Sequence, residues 1–176
     1  AVGHLVELAM PQDYDPALEK WDINTLPIMP EFKLKPKAST AKQLNIIKTL
    51  VNRKDVNRLI NACDAGREGE LIFRLVYDMC NCRKAMKRLW ISSLEDEAIV
   101  EGFENLRDGS DYAQLYEAAK CRECADWIVG INATRLFSCL YGQTLNVGRV
   151  MTPTLALAVE REATIRSFKP ENYYTI

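Results

Sequence analysis

Residues 58–74 read Arg-Leu-Ile-Asn-Ala-Cys-Asp-Ala-Gly-Arg-Glu-Gly-Glu-Leu-Ile-Phe-Arg, and the prediction of this chain's fold begins with them. The first part is a short, mostly apolar run, and the last part repeats apolar residues at helical spacing as far as Met79. This pattern predicts a buried strand, a turn over residues 64–70 and a helix. The turn therefore lies at the carboxyl end of a strand, where open α/β sheets place their ligands.

Three carboxylates and one guanidinium occupy this turn. Asp64, Glu68 and Glu70 offer hard oxygen ligands that suit Mg²⁺, which takes one or two protein carboxylates and completes its shell with water and substrate phosphate. Arg67 adds a planar fork that can hold a phosphate. The same residues fit a solvated acidic turn that caps a helix, since carboxylates are favourable near helix N-termini.

The flanking residues predict a parallel α/β sheet in the first half of the chain. Residues 37–53 have the pattern of an amphipathic helix with Ser39 or Thr40 as its N-cap, and residues 87–91 predict a further strand. Alternating strands and helices are typical of such sheets. Residues 1–34 are rich in proline and predict an irregular connection with short strands.

The second half predicts a separate, all-helical domain. Apolar residues recur at helical spacing three times after Ser93, within residues 95–103, 112–137 and 154–165. The predicted division is an α/β domain, a helical domain and the start of a further domain, at residues 1–93, 94–170 and 171–176.

The net charge of −1 argues against a generic nucleic-acid binder, but the charges are segregated. Residues 32–90 hold 14 Lys and Arg against 5 Asp and Glu, a net of +9. A basic block attracts a phosphate backbone even in a neutral chain, although ordinary solvated lysines give the same pattern. No run of about eighteen apolar residues is present, so the sequence predicts no membrane-spanning helix.

The six cysteines and the single histidine have both chemical and structural interpretations. Cys80-x-Cys82 and Cys121-x-x-Cys124 offer zinc ligands, but the second pair falls in a helical stretch rather than a knuckle. Free thiols in a reducing cytosol are the favoured interpretation. His4 is catalytic by type, yet one histidine in a Gly-His-Leu turn more often has a structural role.

Two features of the helical half are chemical rather than architectural. Arg122 and Asp126 lie four residues apart and can form an ion pair, which on a surface contributes little. Residues 148–154 read Gly-Arg-Val-Met-Thr-Pro-Thr, which brings Arg149, Thr152 and backbone amides to a helix N-terminus. That arrangement can seat a phosphate, and simple N-capping gives the same pattern.

These residues carry a resemblance to the type IA DNA topoisomerases. Residues 64–70 are similar to the metal-binding signature of that family's Toprim domain, Asp-x-Asp-Arg-Glu-Gly-Glu, with Gly66 in place of the second aspartate. Arg122-x-x-x-Asp-Trp-x-x-Gly-x-Asn-x-Thr-Arg135 and residues 148–155 resemble two motifs of its helical domain, with Met151 where glutamine is usual. Gly-His-Leu at residues 3–5 is similar to the topoisomerase III branch.

The resemblance implies a Toprim-like α/β part with a Rossmann-like parallel sheet, followed by a helical domain. It implies Mg²⁺ held by Asp64, Glu68 and Glu70, with the number of ions left open by Gly66, and catalytic roles for Glu68 and Arg67. It further implies single-stranded DNA contacts from the helical part, at Arg122, Arg135, Arg149 and Thr152. The implied reaction is ATP-independent strand cleavage, passage and religation through a 5′-phosphotyrosyl bond, in the bacterial cytoplasm at the nucleoid, without a nucleotide cofactor or a membrane partner.

The resemblance also implies segments outside this chain. The family's first Toprim strand would precede Ala1, which is not a methionine, and the nucleophilic tyrosine, set in Tyr-x-Arg-Thr-Asp-Ser, would follow Ile176. The chain is therefore expected to be an internal fragment that binds single-stranded DNA weakly and does not cleave it. The alternatives are a Toprim nuclease or primase, and a non-catalytic DNA-binding module whose carboxylates hold no metal.

Overall fold

The structure, a computed structural model, describes residues 3–175. These residues divide into two compact units. The first comprises residues 3–19 and 30–125, and the second comprises residues 20–29 and 126–175. Within the described residues, no helix is long and apolar enough to cross a membrane.

A short two-stranded ribbon opens the first unit. Its strands, β1 (Val6–Leu8) and β2 (Leu34–Pro36), pair antiparallel with Val6 opposite Pro36, and α1 (Pro11–Tyr14) lies between them in the chain. Pro11 is at the first position of α1, where the missing N–H has no helical partner to lose. The prediction of an irregular first segment with short strands is confirmed.

The predicted strand, turn and helix around residue 64 are present. After α2 (Ala41–Val51), β3 (Arg58–Asn61) leads into the turn and α3 (Arg67–Met79) leaves it. The chain then returns to form β4 (Ala85–Arg88), which is parallel to β3 because α3 provides the crossover. Asn61 lies opposite Arg88 in this pair.

The sheet is mixed rather than wholly parallel. After α4 (Asp96–Glu104), β5 (Arg107–Asp108) pairs antiparallel with β4, so the strand order is β3-β4-β5. No strand among residues 3–175 pairs with the other edge of β3. This strand is accordingly less buried than predicted, and Ile60 is 37 % exposed.

The core of the first unit lies between the ribbon, α2 and α3. Leu44 and Leu75 are almost completely buried in it, and so are Tyr116 and Ala119 from the beginning of α5 (Ala113–Tyr141). Because this part of α5 packs into the core, the unit extends to Ala125. This compact unit therefore continues past Ser93 into α5, and the predicted domain boundary near Ser93 stays a prediction.

The second unit contains the remainder of α5, residues 20–29 and α6 (Met151–Arg166). The amide of Asn132 attaches residues 20–29 to α5, since Oδ1 accepts from the Ile28 N–H at 2.6 Å and Nδ2 donates to the Ile28 carbonyl at 2.9 Å. No residue of α6 is buried within the described chain. The predicted order of an α/β part and a helical part is confirmed.

Candidate functional site

The turn between β3 and α3 is shaped by one glycine rather than two. A Cβ on Gly69 would come within 2.1 Å of the Asp64 carbonyl oxygen and 2.8 Å of the Asp64 amide nitrogen. The main chain of Asp64 therefore rests directly on the first turn of α3. Gly66 has an extended backbone, with φ of 178°, and a Cβ added there would meet no atom within 4 Å, so this turn does not require glycine at that position.

The three carboxylates of the turn have different surroundings. Glu70 is 1 % exposed and both its oxygens are engaged: Asn61 Nδ2 donates to Oε2 at 2.9 Å, and Arg74 Nε donates to Oε1 at 2.8 Å. Arg88 Nε lies 3.1 Å from Oε2 in an ion pair. The structure thus places Glu70 in a buried charge cluster with Arg74 and Arg88, and direct coordination of a metal by Glu70 stays a prediction.

Glu68 and Asp64 are exposed at the start of α3. The Glu68 side chain is 60 % exposed, with His4 Nε2 at 3.7 Å from one oxygen and Arg122 Nη1 at 3.9 Å from the other. These separations are longer than hydrogen bonds, so Glu68 lies between two basic groups without being bound tightly to either. Arg67, the first residue of α3, is also exposed.

Two available carboxylates fit the coordination that Mg²⁺ takes in proteins, one or two carboxylates with the remaining positions left to water and substrate phosphate. Among residues 3–175, no group of three or more His, Cys, Asp or Glu is arranged to hold a metal ion. The donor set therefore suits an ion bound jointly by Asp64, Glu68 and a substrate, and does not suit a closed cage made of protein ligands.

Glu123 is a further carboxyl group near Glu68 that sequence analysis did not single out. Burial raises the pKa of Glu123 above its ordinary value, while the nearby His4 lowers this pKa and Glu68 raises it. Its Oε2 atom is buried without a hydrogen-bond partner among the described residues. No sequence signal distinguishes this residue from Glu117, the other glutamate of α5.

Arg88 was also missed, although it lies directly beneath the turn. Its guanidinium donates to the carbonyls of Asn61, Cys63 and Asp64 at 3.0, 2.7 and 2.6 Å. Burial lowers the pKa of Arg88, and the charge of Glu70 opposes that change. The available signal was the alternation of Met86, Arg88 and Trp90, which puts a charged residue on one face of β4 with apolar neighbours.

Part of the basic block of residues 32–90 is already paired with acceptor groups inside the first unit. Six of its 14 basic side chains bind carboxylates or backbone carbonyls, namely Lys35, Arg53, Arg74, Lys84, Lys87 and Arg88. Lys84, for example, donates to the carbonyls of Val51 and Arg53, both at 2.6 Å. The excess of positive charge that the sequence shows therefore overstates what the surface of this unit offers to a phosphate backbone.

The six cysteines are all free thiols. Cys80 and Cys82 are buried in the core of the first unit, and Cys121 is exposed on α5. Burial raises the pKa of Cys80 and of Cys63, which keeps these thiols protonated near neutral pH. The interpretation as free thiols is confirmed for the structure described.

In the second unit, the turn before α6 is held by its own contacts. Arg149 donates Nε and Nη2 to the two oxygens of Asp126, at 2.8 and 3.0 Å. The Thr152 hydroxyl accepts from the Gly148 N–H at 3.1 Å, and the Thr152 N–H donates to the Gly148 carbonyl at 3.0 Å. The amides predicted to face a phosphate are thus partly used within the turn.

Arg135 is buried within the second unit. It is 4 % exposed, and its guanidinium lies over the ring of Trp21 at 5.6 Å from the ring centroid. Burial lowers the pKa of Arg135. A direct phosphate contact by this side chain remains a prediction that requires Trp21 to move.

Comparison with known proteins gives matches to both parts of the chain. A family model described as Toprim domain matches residues 1–94, and one described as DNA topoisomerase matches residues 110–176. The chain belongs to the type IA DNA topoisomerase family. The second match is the one that favours a topoisomerase over a Toprim nuclease or primase.

Curated relatives agree with this assignment. The DNA topoisomerase 3 of Bacillus subtilis is 51 % identical over 177 residues, and that of Staphylococcus epidermidis is 48 % identical over the same length. Each match covers 100 % of this topoisomerase chain and 24 % or 25 % of the relative. The chain therefore spans about a quarter of the length of these relatives.

A solved structure supports the fold. The full-length topoisomerase I of Thermotoga maritima matches with a TM-score of 0.66 at 24 % identity, over 97 % of this chain and 27 % of the other. At that identity the match concerns the fold alone. It agrees with the α/β and helical parts described above.

Proposed function

We propose that this topoisomerase chain supplies the Mg²⁺-binding and single-stranded-DNA-binding parts of a larger polypeptide. That polypeptide would cleave one DNA strand through a 5′-phosphotyrosyl bond, pass a second strand and reseal the break without ATP. The observation that carries the proposal is the contrast within one turn: Glu70 is neutralised below the surface, whereas Asp64 and Glu68 remain exposed.

The exposed charged residues of the turn have distinct roles in this proposal. Asp64 and Glu68 would hold Mg²⁺, which when bound would stabilise the attacking and leaving oxygens of the phosphodiester. Arg67, which begins α3, binds a phosphate oxygen of the same strand. Arg122 balances the charge of Glu68 from α5, and its 3.9 Å separation from that carboxylate is long enough for a phosphate to compete for the guanidinium.

The second unit would hold the DNA backbone at the start of α6. Arg149 and Thr152 are both exposed there. A phosphate would compete with Asp126 for the guanidinium of Arg149, so binding exchanges one anionic partner for another. That exchange keeps the affinity of this chain for DNA weak, as the sequence predicts.

Calorimetric titration with Mg²⁺ tests the metal assignment. The unmodified chain is expected to give a binding isotherm, and Asp64→Asn and Glu68→Gln are each expected to abolish it. Glu104→Gln, an exposed carboxylate at the end of α4, is the matched control and should leave the isotherm unchanged. Unchanged binding in both site variants would refute the assignment, and the absence of any isotherm with the unmodified chain would favour a module that holds no metal.

Fluorescence anisotropy with a labelled single-stranded oligonucleotide tests the DNA assignment. Arg149→Gln and Arg122→Gln are each expected to weaken binding for every sequence and to reduce the salt slope by about 1. Arg161→Gln, on the exposed surface of α6, is the control. A covalent adduct between this chain and the oligonucleotide would contradict the placement of the nucleophile elsewhere in the parent polypeptide.

A further inference from the structure

Arg88 and Glu70 are the most completely enclosed charged residues described in the first unit. Arg88 is 1 % exposed, although burying its cationic group is expensive without compensation. The compensation comes from Glu70, whose carboxylate lies 3.1 Å from Nε, and from four backbone carbonyls. Trp90 and Tyr112 cover the guanidinium, at 4.9 and 5.9 Å from the ring centroids.

The four carbonyls are not spread evenly over the unit. Those of Asn61, Cys63 and Asp64 belong to the last residue of β3 and to the turn that follows, and the fourth belongs to Leu89. The shortest of these hydrogen bonds, 2.6 Å, runs from Nη2 to the carbonyl of Asp64. The guanidinium therefore joins the end of the strand, the turn and the first turn of α3 through one rigid plane.

Gly69, in the first turn of α3, also lies against the main chain of Asp64. The Asp64 carbonyl oxygen that receives Nη2 is the atom that a Cβ on Gly69 would meet at 2.1 Å. The main chain of Asp64 is thus enclosed between the helix backbone and the Arg88 fork. A main chain held in this way fixes the direction of the Asp64 Cα–Cβ bond, from which the carboxylate extends.

We propose that Arg88 is a positioning residue of the candidate metal site, which orients the Asp64 carboxylate by holding the backbone of residues 61–64. This inference rests on the proposed role of Asp64 in binding Mg²⁺. Groups that orient a ligand from outside the coordination shell change metal affinity by about 10-fold to 100-fold when they are altered. Arg88 does not touch the substrate or the ion, and its effect is exerted through Asp64.

The chain offers a matched control in Arg74. This second arginine also binds Glu70, through Nε at 2.8 Å, and donates Nη2 to a carbonyl at 2.6 Å. That carbonyl belongs to Gly109 rather than to the turn. Arg74→Lys therefore disturbs the same charge cluster to a similar extent but leaves the support of Asp64 in place.

The experiment compares Arg88→Lys with Arg74→Lys in the 176-residue chain. Lysine keeps the charge near Glu70, but its single ammonium cannot reach Glu70 and the Asp64 carbonyl at the same time. Two quantities are measured: hydrogen exchange of the Cys63 N–H, which donates to Asn61 Oδ1, without metal, and Mg²⁺ affinity by calorimetry. Thermal unfolding of each variant is followed in parallel.

Arg88→Lys is expected to speed exchange of the Cys63 N–H by about tenfold, because the stretch that holds this hydrogen bond to Asn61 opens more often once its charge-assisted hydrogen bonds to Arg88 are weakened. It is also expected to weaken Mg²⁺ binding by about tenfold or more. Arg74→Lys should change neither quantity, even where its unfolding temperature falls by as much. Equal effects of the two variants, or unchanged exchange and affinity in Arg88→Lys, would overturn the proposal.

The unmodified chain supplies a measurement that does not depend on a variant folding. The Cys63 N–H, which donates to Asn61 Oδ1 at 3.1 Å, is expected to be protected from exchange before Mg²⁺ is added, because Arg88 already holds the carbonyls of Asn61 and Cys63. Exchange at the rate of an open coil would refute the positioning role. If this N–H is protected but the unmodified chain binds no Mg²⁺, the metal assignment fails. The exchange rates of Arg88→Lys and Arg74→Lys still test whether Arg88 holds the turn.

Discussion

Two turns of this topoisomerase chain lead into helices that carry its candidate functional residues, and they are supported in different ways. The turn before α3 is hydrogen-bonded to a buried charge cluster in which Glu70 and Arg88 are each 1 % exposed. The turn before α6 is tied by the Arg149–Asp126 pair, whose side chains are 52 % and 41 % exposed. The first turn is therefore fixed by groups that cannot reach water, and the second by groups that can.

This difference separates residues that shape a site from residues that act in it. In the first turn the shaping residues are buried and the acting residues, Asp64 and Glu68, are exposed. In the second turn Arg149 has both tasks, since it fastens the turn and is the residue proposed to bind a phosphate. Substitutions should therefore cost more stability in the first turn than in the second.

The largest effect is expected from Glu70→Ala. This change leaves Arg74 and Arg88 without their anion in a buried site, which costs about 3–5 kcal/mol of the free energy of unfolding. Glu68→Ala, two residues away in the same helix, removes a carboxylate that is 60 % exposed and should change the stability by less than about 0.5 kcal/mol. Urea denaturation measures both, and similar losses in the two variants would show that burial does not distinguish these carboxylates.

The next effect separates the two glycines of the first turn. Gly69→Ala is expected to destabilise the chain by about 1–3 kcal/mol, because the new methyl group overlaps the Asp64 carbonyl. This occurs although alanine is the better helix former by about 0.5–1 kcal/mol. Gly66→Ala should instead be neutral or stabilise by about 0.4–1 kcal/mol, since its extended backbone and open surroundings accept a side chain.

Denaturation midpoints of the two alanine variants provide the comparison. A Gly69→Ala variant as stable as the unmodified chain would mean that Asp64 can move away from α3. In that case the turn would not be fixed, and the contrast with the turn before α6 would be lost.

Much of the local structure of the first turn could be predicted from the sequence. The apolar run before Asp64 and the helical spacing after Glu70 predict β3 and α3, because each pattern directly reflects which residues face a core. The same reasoning predicts α5 and α6 nearly at their observed lengths. Local sequence therefore suffices for elements whose pattern is periodic.

The sequence could not show which charged residues are buried and which are exposed. Glu68 and Glu70 are both acidic residues in the first turn of α3, and only the packing of β4 against β3 puts Arg88 beneath Glu70. The antiparallel addition of β5 was likewise not predicted, since strand direction depends on pairing between residues distant in the chain. The sequence likewise could not show that Arg135, an implied DNA contact, is only 4 % exposed with its guanidinium over the ring of Trp21.

A smaller effect is expected at the second turn. Asp126→Asn removes one partner of an exposed ion pair, which contributes about 0.2–1 kcal/mol at most. Glu162→Gln is the control, because it removes the carboxylate of the exposed Arg166–Glu162 pair on α6. Urea denaturation of the two variants should give similar, small losses. A loss of several kcal/mol in Asp126→Asn would show that this turn also depends on a buried charge.

The smallest effect is expected at Asp108. It tests whether the stability lost with a charged group depends on the burial of that group or on the unit that contains it. Asp108 is in the first unit but is exposed, and it accepts from the Ser110 N–H and hydroxyl at 3.0 and 2.7 Å, with Lys87 at 3.2 Å. These contacts, chiefly the two from Ser110, lower the pKa of Asp108 from 3.8 to about 2. Because the folded-state pKa is the lower one, the carboxylate stabilises the fold above about pH 4, and this contribution is lost as the pH falls toward about 2.

Asp108→Asn should therefore lower the stability slightly above about pH 4 and make its acid limb shallower between about pH 4 and pH 2. Urea midpoints measured at a series of pH values give this slope, with Asp111→Asn as an exposed control in the same turn. Removing an exposed carboxylate leaves no buried cation without a partner. The stability lost in Asp108→Asn should therefore resemble the loss in Asp126→Asn of the second unit rather than the loss in Glu70→Ala of the first unit. A loss at neutral pH as large as that of Glu70→Ala would mean that position in the first unit, and not burial, sets the cost.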